Sequence, residues 1–472
     1  MAKKNVILIY PDQYRYDCAS FLGHPQLRTP TLDALAQESA VFSQAYTSFP
    51  LCSPFRASLL TGVYAHKNGM WANHIPIDLN QVFLPELVRD AGYRTCWVGK
   101  WHLNGGNKFD HVPPKYHLGF EEFIGYTRGH KYRQSLYYVN DDPTPRTSPR
   151  YQPEYQTDQL IDFIDRSHQE GKPFMGMIGY GIPHPPVQDL PEEYLIFSPE
   201  DIVLPDTVPE WERERSRKFC AYYYSLISIV DREVGKIIDH LKSNGLWENT
   251  LFVFVSDHGE LRGEHGLWDK RSFYRSSMQV PLLIHAPGQE SRVVNQLVDA
   301  SIDITPTILD YCGLDIPTHM HGKSLRPLVE TGADNQRNDY VYYEIMGIEQ
   351  GEWNARMESE EGNMNANIRR TFPERGLRTE EFVYVEKCAA PFALFDLEKD
   401  PDETTNLICH PAYLDRVLAF QKQLKQVMAE TGDDWNLCVD GPPEGYQPPS
   451  VAKGFFQQVF PTAVVDDKWI TK

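Results

Sequence analysis

Short uninterrupted apolar runs alternate with amphipathic, helix-patterned stretches along most of the chain, and no other feature restricts the fold as tightly. Val6-Ile7-Leu8-Ile9-Tyr10 is the first such run; a strand without polar alternation is one buried on both faces. A helix is expected next, with Thr29 as N-cap, Pro30 in its first turn and Leu32, Leu35 and Ala36 on one face. The order then repeats. Helical patterns at 84–91 (stopped by Gly92), 158–168 and 218–243 (ended by Asn244-Gly245) precede strand patterns at 95–98, 174–178 and 251–255. Pro281-Leu282-Leu283-Ile284 reads as a further strand. Strands alternating with helices imply an α/β fold, a mixed but mostly parallel sheet sandwiched by helices. After about residue 335 short strands at 341–343, 382–385 and 393–395 and a helix over 413–431 suggest a smaller α+β C-terminal domain, giving a division into 1–335 and 336–472. The tail from Gly441, rich in prolines and aromatics, is expected to wrap irregularly over the surface.

Charge narrows the partners. With 46 Lys and Arg against 65 Asp and Glu, the formal charge of −19 repels nucleic acid and anionic lipid. An anionic substrate would need cations gathered locally against that field. No stretch approaches the roughly 20 apolar residues of a membrane span. The start, Met1-Ala2-Lys3-Lys4-Asn5, lacks the roughly 7–15-residue apolar region of a signal peptide. The expectation is a cytoplasmic protein, or a periplasmic or secreted one if a leader has been removed. The eight cysteines (18, 52, 96, 220, 312, 388, 409 and 438) form no CxxC pair and read as reduced thiols.

In open parallel sheets ligands bind beyond the carboxyl ends of the strands. Three polar groups stand there: Asp12-Gln13, Lys100-Trp101-His102 and Asp257-His258. Each could simply cap a loop or helix. Taken together, Asp12, Gln13, Asp257 and His258 make a plausible metal site, since carboxylate and amide oxygens suit calcium or magnesium whereas imidazole favours manganese or zinc. Cys52 precedes a helical pattern over 54–61 closed by Gly62. A helix start offers free N–H donors and the positive end of the dipole to an anion or a reactive centre. Read locally, Cys52 is a buried structural thiol before it is a reactive centre, Lys100 and Lys270 are solvated charges, and His102 and His184 are structural histidines.

Cys52-Ser53-Pro54-Phe55-Arg56, followed by Ala57-Ser58-Leu59-Leu60-Thr61-Gly62, resembles the C-x-P-x-R signature of type I sulfatases, in the alkaline-phosphatase-like superfamily. The resemblance extends, in the family's order, through Asp12-Gln13, Gly99-Lys100-Trp101-His102-Leu103, Pro183-His184-Pro185-Pro186, Ser256-Asp257-His258-Gly259-Glu260 and the block from Gly263 to Lys270. Asp303-Ile304-Thr305-Pro306-Thr307, His321-Gly322-Lys323-Ser324-Leu325 and Leu394-Phe395-Asp396-Leu397 look like its structural blocks, so the likeness runs at least from Asn5 to Asn406.

The resemblance implies a sulfuric ester hydrolase acting on an organic, carbohydrate-type sulfate, with a formylglycine-generating maturase as a partner. Cys52 would become formylglycine, whose hydrated aldehyde attacks sulfur and then, by loss of the second hydroxyl's proton, expels sulfate. Arg56 would steady the diol, Lys100 and His102 would orient it and the sulfate, Lys270 would hold the sulfate and bridging oxygen, and His184 would protonate the leaving alcohol. Asp12, Gln13, Asp257, His258 and residue 52 itself would ligate one divalent cation: calcium, with manganese or magnesium as alternatives. Gln13 and His258 depart from the commoner Asp and Asn. The resemblance places this version in a large group of microbial sulfatases and also in phosphonate monoester and phosphodiester hydrolases, which stand as the alternative function. Arg275 stands where a glutamate is common and has no mechanistic reading. His265 reads as a helix-side histidine. Specificity is expected from the loops at 105–155 and 188–209 and from the stretch 353–370. Arg128, His130, Lys131 and Arg133 are a candidate sugar-binding cluster or, on the plainer reading, a solvated loop.

Overall fold

A computed structural model describes residues 3–345 and 373–434. The expected surface tail from Gly441, the stretch 353–370 and Cys438 lie outside the described residues. Contacts divide the chain into two units, one of Met1–Ser272 with Ser276–Arg337, the other of Phe273–Arg275 with the part from Asn338 on.

The first unit is built on β1 (Asn5–Asp12), β2 (Ala40–Phe42), a short β3 (Ala45–Tyr46), β4 (Arg94–Lys100), β5 (Glu122–Tyr126), β6 (Leu136–Val139) and β7 (Asp142–Thr147). Then come β8 (Phe174–Pro183), β9 (Thr250–Val255), β10 (Leu282–His285), β11 (Arg292–Val294) and a short β12 (Val298–Asp299), which pairs with β3. Ten of these strands form one sheet in the order β11-β2-β10-β9-β1-β8-β4-β5-β6-β7. The five central strands, β9 to β5 in that order, are mutually parallel, whereas β10 runs antiparallel to β9. The mixed, mostly parallel sheet expected from the sequence is therefore present.

Every residue of β1 is buried, and the reason is visible in its side chains. Val6, Leu8 and Tyr10 enter one apolar core with Phe55, Leu59, Ile304 and Ile308, while Ile7 and Ile9 enter a second with Leu160, Phe163, Leu226 and Val230. Successive strand residues point to opposite faces, so an uninterrupted apolar run supplies both cores. Each fully buried side chain of this kind is worth roughly 1.5–3 kcal/mol.

The helices of this unit include α1 (Pro30–Ala36), α2 (Cys52–Thr61), α3 (Ala65–Asn68), α4 (Leu84–Asp90), α5 (Gln152–Gln169) and α6 (Arg213–Ser243). Thr29 precedes α1 as expected, but its hydroxyl accepts from the Ser20 N–H rather than from its own helix. The cap comes from elsewhere: Asp231 of α6 accepts from the backbone N–H groups of Thr31 (3.1 Å) and Leu32 (2.8 Å).

Two expectations are corrected. The segment 105–155, read as loop, contains β5, β6 and β7 and the start of α5. β7 is an edge strand whose sequence, DPTPRT, carries two prolines and no apolar run; an edge tolerates this because one side of its backbone needs no sheet partner. The C-terminal unit is a four-stranded antiparallel sheet of β13 (Val341–Ile345), β14 (Glu374–Arg378), β15 (Phe382–Lys387) and β16 (Ala390–Asp396), followed by a helix at Leu414–Thr431. β14 escaped the sequence reading because Glu374, Arg375 and Arg378 look like a polar loop, yet all are buried, with Arg375 paired to Asp433 and Arg378 to Glu403.

Candidate active site

Because the central strands are parallel, their carboxyl ends lie along one edge of the sheet. β1 delivers Asp12 and Gln13, β4 delivers Lys100 and His102, β9 leads into Asp257 and His258, and β8 runs on to Pro183, placing His184 at its end. Cys52 is the first residue of α2, whose ten residues are all buried and which stops at Gly62 in a left-handed conformation (φ 67°). Gly99, at φ 112°, is required where β4 passes β8, since a Cβ there would collide with the Gly179 carbonyl oxygen.

The Cys52 sulfur, 1% exposed, lies 3.3 Å from His258 Nε2 and 3.7 Å from Asp12 Oδ1. One donor atom each from Asp12, Cys52, Asp257 and His258 falls within 4.8 Å of the other three. The two carboxylates are oriented alike. Asp12 Oδ2 accepts from Lys100 Nζ (2.6 Å) and Arg56 Nη2 (3.0 Å), and Asp257 Oδ1 accepts from the backbone N–H groups of Gln13 (2.8 Å) and His258 (3.0 Å). Asp257 Oδ2 is buried with no hydrogen-bond partner. Leaving a buried carboxylate oxygen unmatched costs about 1–3 kcal/mol or more, and a cation removes that cost. His258 donates its Nδ1–H to the Gly259 carbonyl (3.0 Å), leaving Nε2 as a ligand atom, the usual outer tie of a metal-binding imidazole. The donor set therefore fits a divalent cation. Gln13 is present at the site, but its Oε1 accepts from Lys270 Nζ (2.6 Å) and its amide nitrogen donates to Glu260 and Asp269.

Beside this cluster stand two lysines and four histidines. Lys100 Nζ donates to His130 Nε2 (3.1 Å) as well as to Asp12, and Lys270 Nζ donates to His184 Nε2 (2.9 Å) as well as to Gln13. His102 Nε2 meets His74 Nδ1 at 2.9 Å. Burial, followed by the nearby cations, holds the imidazoles of His102, His130 and His184 well below the usual histidine range, so they are neutral near pH 7. Burial opposes ionisation of Asp12, but the Lys100 ammonium and the Arg56 guanidinium bring its carboxyl well below the usual carboxylate range. Burial and Asp12 also oppose a thiolate at Cys52; Lys100, Lys270 and His258 outweigh them and lower the thiol. Burial disfavours the Lys270 ammonium, yet Asp269, Cys52 and Asp12 leave its affinity for the proton above the ordinary value.

All ten residues singled out from the sequence meet at this edge. That reading assigned no role to His74, Glu260 or Asp269, which also meet here. The cluster of Arg128, His130, Lys131 and Arg133, a candidate sugar-binding group or a solvated loop, is divided by the structure, with Lys131 and Arg133 exposed and His130 hydrogen-bonded to Lys100. The missed signal was β5, whose carboxyl end leads to His130 as β4 leads to His102. His265 is not on a helix side: it sits at φ 54° in the single turn Glu264–Gly266. Arg275 falls in the C-terminal unit, where its backbone N–H donates to Glu403 (2.8 Å).

Residues 4–314 match the Sulfatase family. The chain belongs to that family. Residues 263–430 of this sulfatase match the N-sulphoglucosamine sulphohydrolase C-terminal family. It is 29% identical over 440 residues to an ulvan-active sulfatase of Formosa agariphila, covering 92% of this chain and 82% of the relative. It is 24% identical over 516 residues to an N-acetylglucosamine-6-O-sulfatase of Bacteroides thetaiotaomicron (91% and 86%). Among solved structures, the sulfatase-family protein yidJ of Bacteroides fragilis superposes with a TM-score of 0.82 at 25% identity, over 93% of this chain and 98% of the other. The phosphonate monoester hydrolase of Agrobacterium radiobacter gives 0.74 at 26% (91% and 96%). The sulfatase is thus a sulfuric ester hydrolase with an alkaline-phosphatase-like fold.

Proposed function

We propose that this sulfatase hydrolyses a carbohydrate sulfate ester with position 52 matured to formylglycine beside one calcium ion. The observation that carries the reading is the placement of Cys52, at the first turn of α2 and between the carboxylates of Asp12 and Asp257 on one side and two lysine–histidine pairs on the other. Formylglycine would supply the hydrated-aldehyde nucleophile, and the cation, held by Asp12, Gln13, residue 52, Asp257 and His258, would draw charge from the sulfate oxygens.

The chain's own residues do the rest. Arg56 Nη2 bonds Asp12 Oδ2, and Arg56 Nη1 bonds the Lys100 carbonyl, so its guanidinium is fixed beside position 52. Lys100, His102 and Lys270 bring donors to the sulfate oxygens. His184 donates Nδ1–H to the Pro185 carbonyl (2.6 Å), which turns Nε2 toward Lys270. The proton a leaving alcohol requires is held in this Lys270–His184 hydrogen bond, and a sugar alkoxide, a poor leaving group, depends on it. A saccharide substrate is supported by the named activity of the N-acetylglucosamine-6-O-sulfatase relative. The Gln13 and His258 donors, together with the likeness to a phosphonate monoester hydrolase, favour one second reading: a phosphonate monoester or phosphodiester hydrolase using manganese on the same scaffold.

Protein co-produced with a formylglycine-generating maturase should show conversion of Cys52 by peptide mass spectrometry and should turn over sulfated saccharides. Unmodified Cys52 in fully active protein would overturn the mechanism. A much higher kcat/KM on phenylphosphonate monoesters or phosphodiesters than on sulfate esters would replace the reaction.

A further inference from the structure

The site contains one histidine that the family signature does not supply and whose bonding is fully specified. His130 lies beyond the carboxyl end of β5. Its ring stacks on that of His184 with centroids 3.7 Å apart and planes 2° from parallel. Its Nε2 is 3.1 Å from Lys100 Nζ and its Nδ1 is 2.9 Å from the Tyr132 hydroxyl, which itself lies 2.6 Å from the His184 carbonyl and 2.7 Å from that of Gly181.

The proton inventory allows one arrangement. An ammonium only donates, so Lys100 donates to His130 Nε2. The remaining ring proton is on Nδ1 and is donated to the Tyr132 oxygen, whose own proton goes to one of the two backbone carbonyls. His130 is thereby locked in plane and in tautomer. It then fixes two other groups: the direction of the Lys100 ammonium, through a bond, and the plane of the His184 ring, through a stack. Each imidazole of the stacked pair points its Nε2 at a different lysine.

We infer that His130 is a positioning residue that sets Lys100 for sulfate binding and, through the His184 ring, the Lys270–His184 hydrogen bond that supplies the leaving group's proton. The inference rests on the sulfate-ester reading above and assigns a role to a residue that reading does not need. The two duties separate by substitution. His130→Phe keeps a flat ring against His184 but removes the acceptor for Lys100; His130→Ala removes both.

The test uses matured, metal-loaded enzyme and aryl sulfates running from 4-nitrophenyl sulfate, which leaves without help, to phenyl sulfate, which needs a proton. For His130→Phe, KM should rise evenly along the series with the leaving-group dependence unchanged. For His130→Ala, the same rise should be joined by a steeper dependence, phenyl sulfate losing about 10-fold or more in kcat beyond the loss on 4-nitrophenyl sulfate. Equal slopes in both variants, or values within twofold of the parent throughout, overturn the inference. If His130→Ala does not fold, Tyr132→Phe replaces it: the stack loses its in-plane anchor and the slope should again steepen, and an unchanged slope overturns the His184 role. Failure of the functional reading is recognised separately, because the unaltered enzyme would then hydrolyse aryl phenylphosphonates and not aryl sulfates. The same variants are then compared on the phosphonate series, with the same two outcomes.

Discussion

Both units bury full charges, but they finish them differently. In the C-terminal unit Arg375 and Asp433 form a closed pair. Asp433 Oδ1 takes Arg375 Nη2 (3.2 Å), Oδ2 takes Nε and the Tyr342 hydroxyl, and Arg375 Nη1 donates to the carbonyls of Ile345 (3.1 Å) and Glu374 (2.9 Å). In the catalytic unit, Asp257 Oδ2 makes no hydrogen bond, with Arg56 Nη2 3.8 Å away, and among the described residues Asp12 Oδ1 is hydrogen-bonded only to the Cys52 thiol, at 3.7 Å. A closed pair offsets its own desolvation and holds strands together. An open one retains that cost until a cation or substrate arrives, and such sites are where chemistry is placed.

The largest effect should come from the open cluster. Cys52→Ala should lower kcat by on the order of 10⁴-fold or more without changing the circular dichroism spectrum, since it removes the proposed nucleophile precursor and little volume. A folded variant with near-parental turnover would end the comparison.

Next in size is the cation. Chelator should abolish activity and calcium restore it. Asp257→Asn should weaken cation binding by titration calorimetry beyond the roughly 10–100-fold typical of outer-sphere changes. Saturating cation should also stabilise the parent by about 2.7 kcal/mol at 100 times its Kd, and this gain should shrink in the variant.

For the closed pair the expectation reverses. Arg375→Met should cost about 3–5 kcal/mol in denaturant unfolding because Asp433 is left buried and uncompensated. The specific activity of the folded fraction should not change. Replacing both, Arg375→Met with Asp433→Leu, should cost less than either alone.

The smallest effect belongs to Asp231, a buried carboxylate that accepts from the Thr31 and Leu32 backbone N–H groups and from the Thr31 side chain, with no ion-pair partner among the described residues. Burial raises its pKa to about 6, against donation from Leu32 and Thr31. A folded-state pKa above the unfolded one, about 3.9, contributes stability that is full below pH 4 and lost as pH rises through 6. The stability of the parent relative to Asp231→Asn should therefore fall across pH 4–6 and be level above it. A flat difference would show that Asp231 does not titrate in that window.

Much of this was legible in the residues. The runs at Val6–Tyr10 and 251–255 fixed parallel strands, and strand-end position then selected Asp12, Lys100 and Asp257 before any likeness was invoked. Cys52 alone read as a buried thiol, and only the surrounding motif order raised it. What escaped shares one cause, polarity that the fold conceals. β14 carries Arg375 and Arg378 inside a sheet, β7 tolerates prolines at an edge, and β8 runs five residues past its expected end to reach Pro183 and set His184 in place.

The sequence by itself determined the two-sided sheet and the helix that begins at Cys52, because hydrophobic period and local turn chemistry act over short stretches of chain. Only the tertiary structure decided which oxygens stay open, that Lys100 and Lys270 each face a neutral imidazole, and that His130 lies against His184. Those facts depend on distances between strands far apart in sequence, which no local pattern encodes.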